Sequence, residues 1–172
     1  MGRSDPPLTE AGEAHARELA ATLPSPDRVI ASPLRRARDT AAAFGRPVEI
    51  DERWIELDYG DLDGREPASV PDVVWARWRA ESSFSPPGGE SLDTLSNRVA
   101  AACVELSQEA VASTLVVVTH VSPIKAALAW ALDVPVGIGW RMYVEDASVS
   151  RIDIGAEGPV VRWFNRSITR EH

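Results

Sequence analysis

The segment that most constrains this chain is Leu115-Val116-Val117-Val118-Thr119, the strongest strand signal in the sequence. Successive strand side chains point to opposite faces, so an apolar run without polar interruption predicts burial on both faces, as in a parallel sheet covered by helices. The next residues agree. Ser122-Pro123 opens a helix through about Leu132, the pattern of a serine cap and a first-turn proline. The same order occurs upstream: Arg28-Val29-Ile30-Ala31 reads as a short buried strand, and Ser32-Pro33 as the N-cap and first turn of a helix to about Phe44.

The remaining periodicities extend this α/β alternation. Thr9 caps a helix to about Leu23, with Ala16, Leu19, Ala20 and Leu23 on one face, and Pro47 to Ile50 is a second short strand. Ser91 caps a long helix to about Val111, with Leu92, Leu95, Val99, Cys103 and Leu106 in phase. Ser148 to Asp153 alternates, turns at Gly155 to Gly158 and returns as Val160 to Trp163, a hairpin. The middle is rich in Pro, Gly, Trp and acidic groups; it predicts a helix near Val70 to Ala80 striped by Val74, Trp75 and Trp78, then a loop forced by Pro86-Pro87-Gly88-Gly89. The expectation is one three-layer α/β/α domain over residues 1–172 with a mostly parallel sheet, carrying an insertion or lid at about 61–90.

Composition narrows the function. With 26 acidic and 18 basic residues the formal net charge is -8, which argues against a nucleic-acid coat and requires any anionic substrate to find a local basic pocket. Cys103 is the one cysteine, so no internal disulfide and no zinc-spaced cluster is expected. No apolar run reaches the ~18 residues of a membrane span, and the first residues lack the apolar core of a signal peptide, so a cytoplasmic protein without membrane or nucleic-acid partners is the expectation. The sequence leaves oligomeric state open.

Ligands of open α/β sheets gather at strand carboxyl ends and helix N-termini. Two strand-to-helix turns here carry ionisable groups: Ser32-Pro33-Leu34-Arg35-Arg36 and Thr119-His120-Val121-Ser122-Pro123-Ile124-Lys125. Backbone N–H groups and a nearby cation in each suit a phosphate. A third element, Trp54-Ile55-Glu56-Leu57, sets a lone Glu among apolar neighbours, followed by turns at Gly60 and Gly64. Burial would raise the pKa of Glu56 and make it a candidate general acid.

These residues resemble the histidine phosphatase superfamily, which includes cofactor-dependent phosphoglycerate mutases. The resemblance runs from Gly2 to the final hairpin. Gly2 to Gly12 looks like the family's loop and first helix start, Ser32 to Ala41 like its arginine motif, Glu56 to Gly64 like its acid motif, Pro87 to Ser91 like the entry to its long helix, and Thr119-His120 like its second histidine. It implies a metal-independent phosphomonoesterase, without cofactor, acting on a small phosphorylated substrate through a phosphohistidine. Arg36 and His120 would bind the phosphoryl group, Glu56 would be acid and then base, and Gly2 and Ser32 would border the pocket. The Thr-His-Val-Ser-Pro-Ile-Lys form looks most like α-ribazole-phosphatase-like members, although Val121 stands where many members have Gly, and Leu62-Asp63 where Trp-Glu is usual.

The family's nucleophile lies in an Arg-His-Gly motif, and this sequence has none. His15 falls inside the first predicted helix and His172 is terminal. The expectation is a chain that begins one central strand and one loop late, short by about 10–20 residues, and inactive as it stands. A late start is favoured over a gene fragment or a non-catalytic relative, because Arg36, Glu56 and His120 are all kept. A phosphate-binding pseudoenzyme and a phosphoglycerate mutase are the alternatives. Plainer roles compete at each position: Arg36 as a solvated helix arginine, His120 as a satisfied strand-end histidine, Glu56 as a structural carboxylate, His15 as a helix-surface residue, and Trp75, Trp78 and Cys103 as packing.

Overall fold

The computed structural model describes residues 2–167; His172 lies outside them. Helix α1 (Glu10–Thr22) begins where Thr9 Oγ1 accepts the Gly12 N–H at 3.1 Å, and Pro24 follows its end. Strand β1 (Arg28–Ala31), helix α2 (Arg35–Ala42) and strand β2 (Val48–Ile50) come next. After a stretch of short 3-10 turns, helix α3 (Asp72–Ala80) leads to the long α4 (Leu92–Ala110), capped by Ser91 as its sequence predicts. Strand β3 (Leu115–Val118) feeds α5 (Val121–Ala131), and the chain closes with the hairpin β4 (Ser148–Gly155) and β5 (Gly158–Ser167).

The sheet is parallel, in the order β2-β1-β3, with Val29 opposite both Val48 and Val116. β4 and β5 form a separate antiparallel pair. β1 is the inner strand, and its alternation sorts the layers. Val29 and Ala31 pack with Ala41 of α2 on one face, while Ile30 meets Leu95, Val99 and Ala126 of α4 and α5 on the other. This is the expected helix–sheet–helix layering. Each fully buried valine or leucine in it contributes about 1.5–3 kcal/mol relative to exposure.

Two local expectations are corrected. The residues of β3 are only partly buried, and β1 is the strand buried on both faces. A valine run records which residues tolerate burial, whereas position decides what covers them; among the described residues β3 has a strand neighbour on one side only. Ser32 is not the cap of α2. The helix starts at Arg35 behind Leu34, which has no side-chain cap bond, and the Arg35 N–H is met instead by Asp5 Oδ1 at 2.6 Å. A carboxylate from a distant loop has taken the place the local pattern offered to Ser32.

The 70–80 segment is anchored by Trp78, which is fully buried. It stacks on Trp75 at 5.9 Å between centroids and meets Tyr59, Phe84 and Trp140 edge-on. Among the described residues no helix is long and apolar enough to cross a membrane.

Candidate active site

The carboxyl ends of β1 and β3 are neighbours, which brings Ser32 and His120 together across 88 positions of sequence. His120 is the cap residue of α5 and is 8% exposed. Its Nε2 lies 2.7 Å from Ser32 Oγ, and that oxygen also accepts the Leu34 N–H at 3.3 Å. Burial, then the positive charge of Arg36, lowers the imidazole pKa from 6.5 to about 4; Asp5 opposes the shift and Arg98 adds to it. His120 is therefore neutral near pH 7.

Glu56 is 4% exposed. Its Oε1 accepts the Leu57 N–H at 2.7 Å and the Ser122 N–H at 3.2 Å. Ser122 lies in the first turn of α5, so Glu56 is the carboxylate at that helix N-terminus, where the unpaired N–H groups favour an anion. Burial nevertheless dominates and raises its pKa, against the hydrogen bonds from Leu57 and Ser122 and the charge of Arg36. A carboxyl whose pKa is raised by desolvation is suited to proton donation.

The backbone behind Glu56 is clamped. Its carbonyl oxygen accepts from Arg3 Nε at 3.2 Å and from Arg98 at 3.4 Å. Arg98 also donates to Glu90 at 2.7 and 2.9 Å and to the Arg53 carbonyl at 2.6 Å. Next to this, Thr119 Oγ1 donates to the Trp54 carbonyl at 2.6 Å, joining the acid segment to the end of β3.

Arg36, in the first turn of α2, donates to the Ser4 carbonyl at 2.6 Å and the Gly2 carbonyl at 2.9 Å. Its charge reaches both Glu56 and His120. Gly2 is buried, and its N–H donates to Asp63 Oδ1 at 2.7 Å. A side chain there would meet the Tyr59 ring at 2.5 Å, so only glycine lets the backbone pass. Burial pushes Asp63 up, but the N–H groups of Gly2 and Ser4 and the Ser4 hydroxyl outweigh it and hold the carboxyl below its ordinary value.

All five residues singled out in the sequence, Gly2, Ser32, Arg36, Glu56 and His120, thus gather at one end of the sheet. His15 is exposed on α1, apart from them. One expectation is modified. The helix N-termini offered to phosphate already hold carboxylates, Asp5 on α2 and Glu56 on α5. The site also includes Asp5, Ser122, Glu90 and Arg98. Asp5, Glu90 and Ser122 lie within the motif segments, while Arg98, inside α4, carries no local signal.

The profile of the Histidine phosphatase superfamily (branch 1) matches residues 1–167. The chain belongs to the histidine phosphatase superfamily. It is 34% identical over 167 residues to the bifunctional protein Rv2228c of Mycobacterium tuberculosis, an alignment covering 91% of this chain and 46% of that protein. The chain thus spans about half the length of the curated relatives it matches first. Among solved structures, the mycobacterial glucosyl-3-phosphoglycerate phosphatase Rv2419c in complex with inorganic phosphate superposes with a TM-score of 0.85 at 27% identity, covering 98% of this chain and 91% of that one. The α-ribazole phosphatase of Shigella flexneri gives 0.83 at 26% identity, covering 99% and 90%. Among the described residues no group of three or more His, Cys, Asp or Glu side chains is placed to hold a metal ion.

Proposed function

We propose that this site is the phosphate-binding and acid–base part of a metal-independent phosphomonoesterase that works through a phosphohistidine. The observation that carries the reading is Glu56, a buried carboxyl with a raised pKa, held at the α5 N-terminus within the field of the same Arg36 charge that reaches His120. An imidazole nitrogen attacks phosphorus in line, the bond from phosphorus to the leaving oxygen breaks, and the Glu56 proton passes to that oxygen. Water then attacks the phosphohistidine; Glu56 takes its proton, the phosphorus–nitrogen bond breaks, and phosphate and the free imidazole result. Arg36 and His120 hold the equatorial oxygens, where charge spreads in the transition state. Arg36 reaches them by exchanging the carbonyls of Gly2 and Ser4 for phosphate oxygens.

No described residue supplies the attacking imidazole: His15 faces solvent on α1, and His120 is committed to Ser32. The 172-residue chain alone is therefore expected to bind phosphate without turning over phenyl phosphate. Calorimetry with inorganic phosphate should show binding that Arg36→Ala abolishes. Robust turnover by this chain that His120→Ala removes would overturn the assignment of roles. A phosphate-binding module without catalysis is the second reading, favoured by the absence of an Arg-His-Gly motif. Added imidazole separates the two. Turnover of phenyl phosphate that rises with imidazole and disappears in Glu56→Gln marks the catalytic site; no turnover at any imidazole concentration marks the module.

A further inference from the structure

A cavity of about 300 Å³ opens beside Ser122, whose N–H holds Glu56. Its walls are mostly apolar and aromatic, with Tyr59, Trp75 and Trp140 as the large surfaces. Trp75 and Trp140 meet edge-on at 6.5 Å, and Trp75 is further fixed by its indole N–H on the Pro67 carbonyl at 3.2 Å. These rings are therefore preset, and a ligand does not have to order them. The volume suits a group the size of a substituted ring.

The charge in this cavity is unusual for the chain. Lys125 lines it from α5, half-buried, and among the described residues no hydrogen bond or ion pair reaches its ammonium. Arg65, exposed at its edge, lines it too, and among the described residues no hydrogen bond or ion pair reaches its guanidinium. The cavity's carboxylate, Asp63, is taken up by the N–H groups of Gly2 and Ser4 and by the Ser4 hydroxyl. In a protein of net charge -8 this is a local cationic, aromatic pocket. Burial lowers the pKa of Lys125, with the Glu56 charge opposing, which marks an ammonium partly stripped of water. Such a group gains more from an incoming anion than an exposed lysine would.

Position fixes what the cavity receives. Ser122 and Lys125 are one turn apart on the same face of α5, and Ser122 touches the proton donor. Ser122 thus joins the two: its N–H holds Glu56, it lines the cavity, and Lys125 stands about one helical turn further on.

We propose that the cavity holds the leaving group of the substrate, and that this group is an apolar or aromatic body bearing a carboxylate, which Lys125 reads. The inference rests on the phosphomonoesterase reading and gives it a substrate class.

Phosphonates test it without any turnover, because their phosphorus–carbon bond does not hydrolyse. Calorimetric affinities would be compared for inorganic phosphate, methylphosphonate, benzylphosphonate, 4-carboxybenzylphosphonate and 4-aminomethylbenzylphosphonate. Benzyl should bind about tenfold tighter than methyl, from burial of the ring. The carboxylate should add about tenfold more, and the cationic analogue should bind more weakly than benzyl itself. Lys125→Met should remove the carboxylate's increment. If phosphate and methylphosphonate bind but the carboxylate adds nothing, or Lys125→Met leaves its increment in place, the inference fails while the phosphate site stands. If no member of the series binds, inorganic phosphate included, the phosphomonoesterase reading fails and the inference falls with it.

Discussion

Acid should unfold this protein partly through a single imidazole. His120 titrates at about 4 in the folded chain against 6.5 ordinarily, because burial and then the Arg36 charge disfavour its protonated form. Arg98 adds to that effect and Asp5 opposes it. The unfolded chain takes up a proton that the folded chain refuses, so stability falls as pH falls from 6.5 towards 4. The full difference corresponds to about 3 kcal/mol, of which about 2.5 kcal/mol is lost between pH 7 and pH 4.5, at close to 1.4 kcal/mol per pH step in the middle of the range. Urea unfolding followed by tryptophan fluorescence at several pH values gives the slope, and His120→Asn supplies the control, since the other titrating groups and the changing net charge are common to both. The wild type should lose about 2.5 kcal/mol more than the variant over this window. Parallel pH profiles, or an NMR titration of the His120 ring near 6.5, would refute the account of a desolvated, cation-facing imidazole.

Three further outcomes follow from the same contacts. Arg98→Met leaves the Glu90 carboxylate, whose side chain is 8% exposed, without its closest partner, and should cost about 3 kcal/mol in urea unfolding. Gly60→Ala should cost at least about 2 kcal/mol in the same assay, because φ is +52° there and the new methyl would run into the Pro87 carbonyl and lie 2.5 Å from the Gly89 nitrogen. Asp5→Asn keeps an acceptor for the Arg35 N–H but removes a negative charge from the α2 N-terminus; calorimetry should find inorganic phosphate bound a few-fold tighter, by roughly 0.5–1 kcal/mol.

The layered fold was legible because its signals are local. Helix phase and caps placed α1 and α4, and the strand runs before each helix placed the parallel sheet. Where the sequence misled, the deciding partner was distant. Ser32 has the composition of a cap, but Asp5, 30 positions away from Arg35, fills that role. Glu56 stood out as one acid among apolar residues, yet its hydrogen bond to Ser122 spans 66 positions and no spacing rule reveals it. The valines of β3 announced a buried strand, and only the strand order showed that β1 is the one covered on both faces. Local chemistry identified which groups are unusual; topology decided which of them meet.

Glu56 and His120 respond in the same sense to an arriving anion, although their pKa values are displaced in opposite directions. Burial raises the pKa of Glu56, and a dianion bound close to it adds like-charge repulsion that raises it further. Burial and Arg36 keep the proton off His120, and the same dianion, by neutralising Arg36 and facing the ring, raises that pKa as well. Binding of a tetrahedral dianion should therefore draw protons from solution. Sulfate is the clean probe, since it does not itself titrate near neutrality. Its binding enthalpy at pH 6, measured in buffers of different ionisation enthalpy, should give a net proton uptake, and the double variant Glu56→Gln, His120→Asn should take up none. Sulfate that binds with no uptake, or with release, would mean that the two groups do not share the anion's field, and the convergence of Arg36, Glu56 and His120 on one phosphoryl position would be wrong.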